Sequence, residues 1–194
     1  MKFIKNGRSY QVYERRVVLM KDEIVKSGKY LKLVIRDGWE YVERVNCSGV
    51  VIIISKTDDN KVVLVEQFRR PVAKNVIAFP AGLAGDEQGM EGEDLAKAAK
   101  RELLEETGYS AKGMKKLFVG PVSAGMCRDM VTIFYASGIK KIEKGGGVGE
   151  WEQIKVHEVP LKSIDRWLRG QQKKGLLVAP NVFAGIYFLK NWIK

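Results

Sequence analysis

Three glutamates near the middle of the chain, Glu102, Glu105 and Glu106, have the type and spacing to hold a hard divalent cation. The surrounding pattern reads as a helix that begins at Gly92, Glu93 and Asp94, with acids in its first turn, and stops at Gly108, a residue suited to a C-cap. At about 100° per residue, Leu95, Ala98 and Ala99 mark its apolar face, and Glu102 and Glu106 project within about 20° of Leu95. Two carboxylates therefore point where the core should be, close to the negative end of the helix dipole. Both circumstances disfavour them unless something cationic compensates. Arg101 stands four residues before Glu105 and can neutralise that glutamate, but cannot serve Glu102 and Glu106 equally well. Oxygen ligands at i and i+4 on one face suit Mg²⁺ or Mn²⁺. A solvated acidic helix end would carry the same residues, and spacing alone does not decide between the two.

The elements that must position this helix are mostly strands. Residues 9–45 read as strands and turns: 10–13 alternate, 17–19 are apolar, and 30–35 end at the turn signal Arg36-Asp37-Gly38-Trp39 before a second alternating run. Such a set without a helix would expose edges and one apolar face, so it needs a covering surface on the main domain or on a second subunit. From Gly49 the strands become wholly apolar. Residues 49–55 and 62–68 flank Thr57-Asp58-Asp59-Asn60, which predicts a hairpin. Strands at 76–79, 116–120, 131–136 and 151–156 and helices at 161–169 and 181–192 complete a mixed pattern. It predicts an α+β fold with helices on both sides of a sheet, divided into an N-terminal β subdomain, 1–46, and a main domain, 47–194.

The 194 residues are 45% apolar, enough for one real core and a small extension. No stretch approaches the roughly 18 apolar residues of a membrane span, and the N-terminus does not lead into a signal-peptide apolar region, so a cytoplasmic protein without membrane partners is expected. Cys47 and Cys127 are too few for a disulfide framework and lack metal-ligand spacing. The net charge of +11 is spread over scattered pairs such as Arg15-Arg16 and Lys173-Lys174, without one basic block and interleaved aromatics. That favours a solvated basic surface attractive to phosphorylated metabolites over a dedicated nucleic-acid face. His157, the only histidine, pairs with no nucleophile and reads as structural.

Glu93, seven residues, and then Arg101-Glu102-Leu103-Leu104-Glu105-Glu106-Thr107-Gly108 resembles the Nudix box, G-x5-E-x7-R-E-U-x-E-E-x-G-U, where U is a bulky apolar residue. Eight of its nine fixed positions can be placed, with Tyr109 as the last U; the first glycine is displaced to Gly82, which makes residues 85–89 a short insertion. The resemblance extends through Val65-Glu66-Gln67-Phe68-Arg69-Arg70-Pro71, Phe79-Pro80-Ala81-Gly82, Gly149-Glu150-Trp151-Glu152 and Val156-His157-Glu158-Val159-Pro160-Leu161 to the ADP-ribose pyrophosphatase branch. It implies the Nudix α/β/α sandwich and an N-terminal β subdomain that takes part in a homodimer.

It also implies roles. Glu102 and Glu106, with Glu105 in some arrangements, and the carbonyl of Ala81 would be metal ligands, Mg²⁺ first and Mn²⁺ second. Arg101 would orient Glu105, while Glu93 would reach a metal through water or help cap the helix. A catalytic carboxylate is expected on the glycine-rich loop before the 151–156 strand, Glu150 ahead of Glu152. Arg69 resembles a phosphate-holding position, and Tyr30 and Trp39 resemble two aromatics that sandwich adenine, although each could be core packing of the β subdomain. One departure is Ala78, where the branch commonly has glutamate. The expected reaction is Mg²⁺-dependent hydrolysis of a nucleoside diphosphate sugar, ADP-ribose first, giving AMP and ribose 5-phosphate. The alternatives are a GDP- or UDP-sugar, or a nucleotide-binding sensor with weak turnover.

Overall fold

The computed structural model describes residues 2–5, 8–13, 16–19, 21–86, 89–147 and 153–193, with side chains from residue 21 onward. Two compact units divide the chain: Met1–Asn46 with Pro121–Asp129, and Cys47–Gly120 with Met130–Lys194. The segment 121–129 was not foreseen in the first unit.

In that unit β1 (Lys2–Lys5), β2 (Arg8–Tyr13) and β3 (Arg16–Leu19) form one antiparallel sheet, and β4 (Asp22–Ser27), β5 (Leu31–Arg36) and β6 (Trp39–Arg44) another. Asp37 and Gly38 both take positive φ, 51° and 81°, so the two-residue turn between β5 and β6 follows the right-handed strand twist. The segment 121–129 extends this sheet at β6, where the Val42 amide donates to the Met126 carbonyl (2.9 Å) and the Arg128 amide to the Val42 carbonyl (3.1 Å).

The second unit holds β7 (Gly49–Ser55), β8 (Lys61–Arg69), β9 (Lys74–Ala78), β10 (Ala81–Ala84), α1 (Leu95–Thr107), β11 (Tyr109–Ser110) and β12 (Gly113–Pro121, whose last residue falls in the first unit). It continues with β13 (Met130–Ser137), β14 (Lys140–Lys141), β15 (Ile154–Pro160), α2 (Ile164–Lys173), β16 (Leu177–Val178) and α3 (Pro180–Asn191). The strand orders are β10-β7-β13-β12 and β15-β8-β9-β16, with β11-β14 as a separate pair. The expected hairpin of β7 and β8 does not form: one bridge, Lys56 to Val62, closes the turn, and the two strands then part into different sheets. Their apolar runs explain it. Val51 and Ile53 face a core that includes Ala98, Ala99 and Leu103 of α1, whereas Ile52 and Ile54 face a core that includes Leu168 of α2 and Val182 and Ile186 of α3. Strands buried on both faces carry no alternation to fix their partners. The architecture is the expected α+β sandwich, a mixed sheet layer with helices on either side.

Candidate active site

The N-terminus of α1 differs from expectation. Asp94 is the N-cap, its Oδ1 accepting from the Ala96 and Lys97 amides at 3.0 and 3.1 Å, and the first turn holds no acid. Glu93, outside the helix, reaches forward instead: the Arg101 guanidinium donates to its two carboxylate oxygens at 3.3 and 3.1 Å. The same guanidinium donates to Glu102 Oε1 at 2.9 Å, to Glu105 Oε2 at 3.2 Å and to the Leu83 carbonyl at 3.0 Å. One cation thus serves three carboxylates, with a partner range far beyond the i+4 neighbour read from sequence.

Glu102 lies against backbone. A Cβ on Gly82 would stand 1.9 Å from its carboxyl carbon, so only glycine leaves room for it. Burial pushes the Glu102 carboxyl up to about 7, opposed by the charge of Arg101 and reinforced by Glu105. Glu106 is buried at 4% exposure, and its Oε2 accepts from the Ala81 amide at 3.1 Å, which joins the end of α1 to the start of β10. Glu93, Glu102 and Glu105 share Arg101, while Glu106 and Glu93 also reach the Ala81 and Gly85 amides, so four carboxylates gather about one arginine and the segment 81–85.

Among the described residues no three His, Cys, Asp or Glu side chains already stand around one metal position. The donor set still fits a hard cation: buried carboxylate oxygens, gathered closely, and a carboxyl whose burial disfavours ionisation without further positive charge.

The C-terminal end of α1 shows partners that sequence reading missed. Gly108 caps it in the left-handed region, φ 72°. Lys141 Nζ donates to the Thr107 carbonyl at 2.6 Å, the Ile142 amide to the Gly108 carbonyl at 2.9 Å, and the Gly146 and Gly147 amides to the Glu106 and Glu105 carbonyls at 3.0 and 3.1 Å. Gly145, φ 69°, runs so close that a Cβ would stand 2.3 Å from the Thr107 carbonyl carbon. The glycine run is therefore seated on the carboxylate-bearing turn. The signal for this was present in the glycines, which permit close approach as well as flexibility.

Glu150 and Glu152 lie outside the described residues, and their expected part is not observed. The described chain on either side is tied together, with the Ile154 amide donating to the Gly146 carbonyl at 3.0 Å. Arg69 is exposed at the end of β8, opposite Lys74, on the strand face that carries Val63 and Val65. Ala78 pairs with Val65. In the first unit Tyr30 and Trp39 are 69% and 64% exposed, so neither is core packing. Trp39 Nε1 donates to the Gly125 carbonyl at 2.9 Å. Cys47 and Cys127 form no disulfide, and no described helix is long and apolar enough to cross a membrane.

The sandwich resembles a solved structure described as an ADP compounds hydrolase, with a TM-score of 0.66 over 89% of this chain and 91% of that one at 18% identity. Likeness at that identity establishes the fold class alone. The family model for the NUDIX domain matches residues 46–173, and the chain therefore belongs to the Nudix family and is a Nudix hydrolase. Among curated relatives it is 32% identical over 146 residues to the ADP-ribose pyrophosphatase of Bacillus subtilis (strain 168), covering 72% of this chain and 76% of that one. It is 31% identical over 165 residues to the methanol dehydrogenase activator of Bacillus methanolicus (82% and 85%) and 30% identical over 186 residues to the GDP-mannose pyrophosphatase of Escherichia coli (strain K12) (84% and 92%).

Proposed function

We propose that the protein hydrolyses the diphosphate bond of ADP-ribose or a related nucleotide sugar, giving a nucleoside monophosphate and a sugar phosphate. The observation that carries this is the sharing of one arginine by Glu102 and Glu105 at the end of α1, with the buried Glu106 beside them on the Ala81 amide. Such a crowding of carboxylates suits a cation-assisted reaction on an anion. The names of the pyrophosphatase relatives point to the substrate class.

Glu102, Glu106, the Ala81 carbonyl and in part Glu105 would hold Mg²⁺, with Mn²⁺ as a substitute. The ion would neutralise diphosphate charge and raise the electrophilicity of phosphorus. Arg101 keeps Glu102 and Glu105 oriented, and Arg69 binds a phosphate oxygen. The carboxylate of Glu150, with Glu152 in support, takes a proton from the attacking water; the new P–O bond forms as the anhydride P–O bond breaks.

For the adenine clamp, chain connectivity matters. Tyr30 precedes β5 at one end of the β5-β6 hairpin, and Trp39 pairs with Arg36 at the other, roughly 20 Å away along the strand. Tyr41, Lys32 and Glu43 stand between them on the same face. One purine cannot touch both rings of one chain, so a two-ring clamp draws one from each subunit of a homodimer.

The test is a panel of nucleotide sugars scored by released monophosphate, with Mg²⁺ and with EDTA. Turnover of ADP-ribose that EDTA abolishes is the expected result. The GDP-mannose pyrophosphatase relatives make GDP-sugars the second reading, to be preferred if they turn over faster. Binding without turnover on any member would leave a nucleotide sensor.

A further inference from the structure

We propose that Lys141 is a positioning residue for the cation site of α1: reaching over from β14, it caps the end of that helix and holds the turn bearing Glu105 and Glu106 in the shape an ion needs. Treating those glutamates as ligands rests on the function proposed above; the capping does not. An α-helix leaves its last four carbonyls without helical partners, and its ends fray first. In α1 the fraying end is the one that carries the glutamates. The Leu104 carbonyl takes the Gly108 amide at 2.6 Å, and the next three are met from a single segment: Glu105 by the Gly147 amide, Glu106 by the Gly146 amide, and Thr107 by Lys141 Nζ at 2.6 Å. The Ile142 and Glu143 amides both donate to the Gly108 carbonyl. Lys141 is the one donor of this set that brings a charge. Helix α1 has no base in its own last turn, so the positive charge favoured at the negative end of the dipole is supplied from β14.

The lysine is itself held in place. In the two-residue ladder of β11 and β14, Lys141 stands opposite Tyr109 and Lys140 opposite Ser110. Lys141 Nζ lies 5.0 Å from the centre of the Tyr109 ring, a cation–π distance. Tyr109, 5% exposed, is fixed in turn by its hydroxyl, which donates to Glu158 Oε1 at 2.6 Å. The ammonium therefore sits between an anchored ring and the last carbonyl of the helix. Lys140 carries the same charge on the other face of the strand and is a built-in control.

Positioning and bare charge predict opposite signs. An ammonium near a cation site repels the ion, so losing the charge alone would tighten binding. Losing a support loosens it, by about tenfold or more where the support orients ligands. Mn²⁺ binding to metal-free protein, without nucleotide, is measured by electron paramagnetic resonance of the free ion. Lys141→Met is expected to raise the Mn²⁺ Kd about tenfold, Lys141→Arg to stay within about threefold of wild type, and Lys140→Met to change nothing. Amide exchange at Gly146 and Gly147 in the metal-free protein should quicken at least about tenfold in Lys141→Met, with little change in melting temperature. Lys141 is an exposed residue, so the variants are expected to fold, and Lys141→Gln repeats the comparison if Lys141→Met does not. Unchanged or tighter Mn²⁺ binding in Lys141→Met, or equal weakening in Lys140→Met, overturns the inference and leaves the cation site standing. Wild-type protein that binds no Mn²⁺ would overturn the cation site and the inference with it.

Discussion

Glu43, on the β4-β5-β6 sheet of the first unit, and Glu102, on α1 of the second, are both glutamates withdrawn from solvent, and their carboxyls are displaced in opposite directions. Glu43 meets Lys32 Nζ at 2.8 Å and Arg128 at 2.7 Å, and accepts from the Tyr41 hydroxyl at 3.1 Å. Burial pushes it up, but the hydrogen bonds from Lys32 and Arg128 prevail and hold it at about 2. Glu102 has one guanidinium, shared with Glu93 and Glu105, and burial carries it to about 7. The difference lies in the number of cations per carboxylate. Two cations on one carboxylate make a structural cluster; a guanidinium that Glu102 shares with two other carboxylates leaves its burial uncompensated.

The largest effect that can break this contrast is on turnover. Glu102→Gln and Glu106→Gln are each expected to lower kcat by at least about a hundredfold, to reduce the thermal stabilisation given by added Mg²⁺, and to leave the melting temperature in EDTA no lower than wild type. Wild-type kcat in both variants would show the crowded carboxylates to be idle. Next in size, Glu150→Gln is expected to cost about a hundredfold in kcat while the Mg²⁺-dependent rise in melting temperature persists. Greater damage from Glu152→Gln would reverse the two roles.

Glu43→Gln should do the opposite, sparing kcat and lowering stability by on the order of 2 kcal/mol at neutral pH, allowing for the exposed Arg128. Its folded-state carboxyl is held below the usual value, so the stability it adds is fully present above about pH 4.5 and is lost as pH falls toward 2. Acid melts should therefore show a smaller difference between variant and wild type at pH 2.5 than at pH 6. An equal difference at both would remove the linkage.

How much of this was legible depended on whether one element or two had to be read. The carboxylates of α1 could be found because a helix period turns spacing into direction, and Glu102 and Glu106 fell on the stripe with Leu95. Arg101 showed only its i+4 partner, since Glu93 and the Leu83 carbonyl come to it from outside the helix. The split of β7 from β8 was hidden because both runs are apolar throughout, which records burial on two faces and says nothing about pairing. Residues 121–129 joined the first unit through backbone bonds at Val42 and through Asp129 on Arg44, contacts with no local signature. Glu66 hydrogen-bonds with Asn75 and His157 from three different strands, and no periodicity connects them.

The smallest expected effect asks whether the first unit is only structural, as the comfort of Glu43 implies, or also completes the site. Tyr30 and Trp39 are exposed on its hairpin, too far apart to grip one base, and exposure of two large rings calls for a partner. If one ring serves the neighbouring subunit, Glu102→Gln and either Trp39→Ala or Tyr30→Ala, each nearly inactive toward ADP-ribose alone, should restore activity when combined. A heterodimer purified by two different tags would then hold one site with the intact α1 of one chain and the intact ring of the other, and recover about half of wild-type turnover. The other site in that dimer carries both lesions. Should neither aromatic variant complement Glu102→Gln, the shared-site arrangement is wrong; light scattering that gives a monomer would dispose of it sooner. Aromatic variants that keep full ADP-ribose turnover would instead release the first unit from the reaction and turn the substrate search toward GDP-sugars.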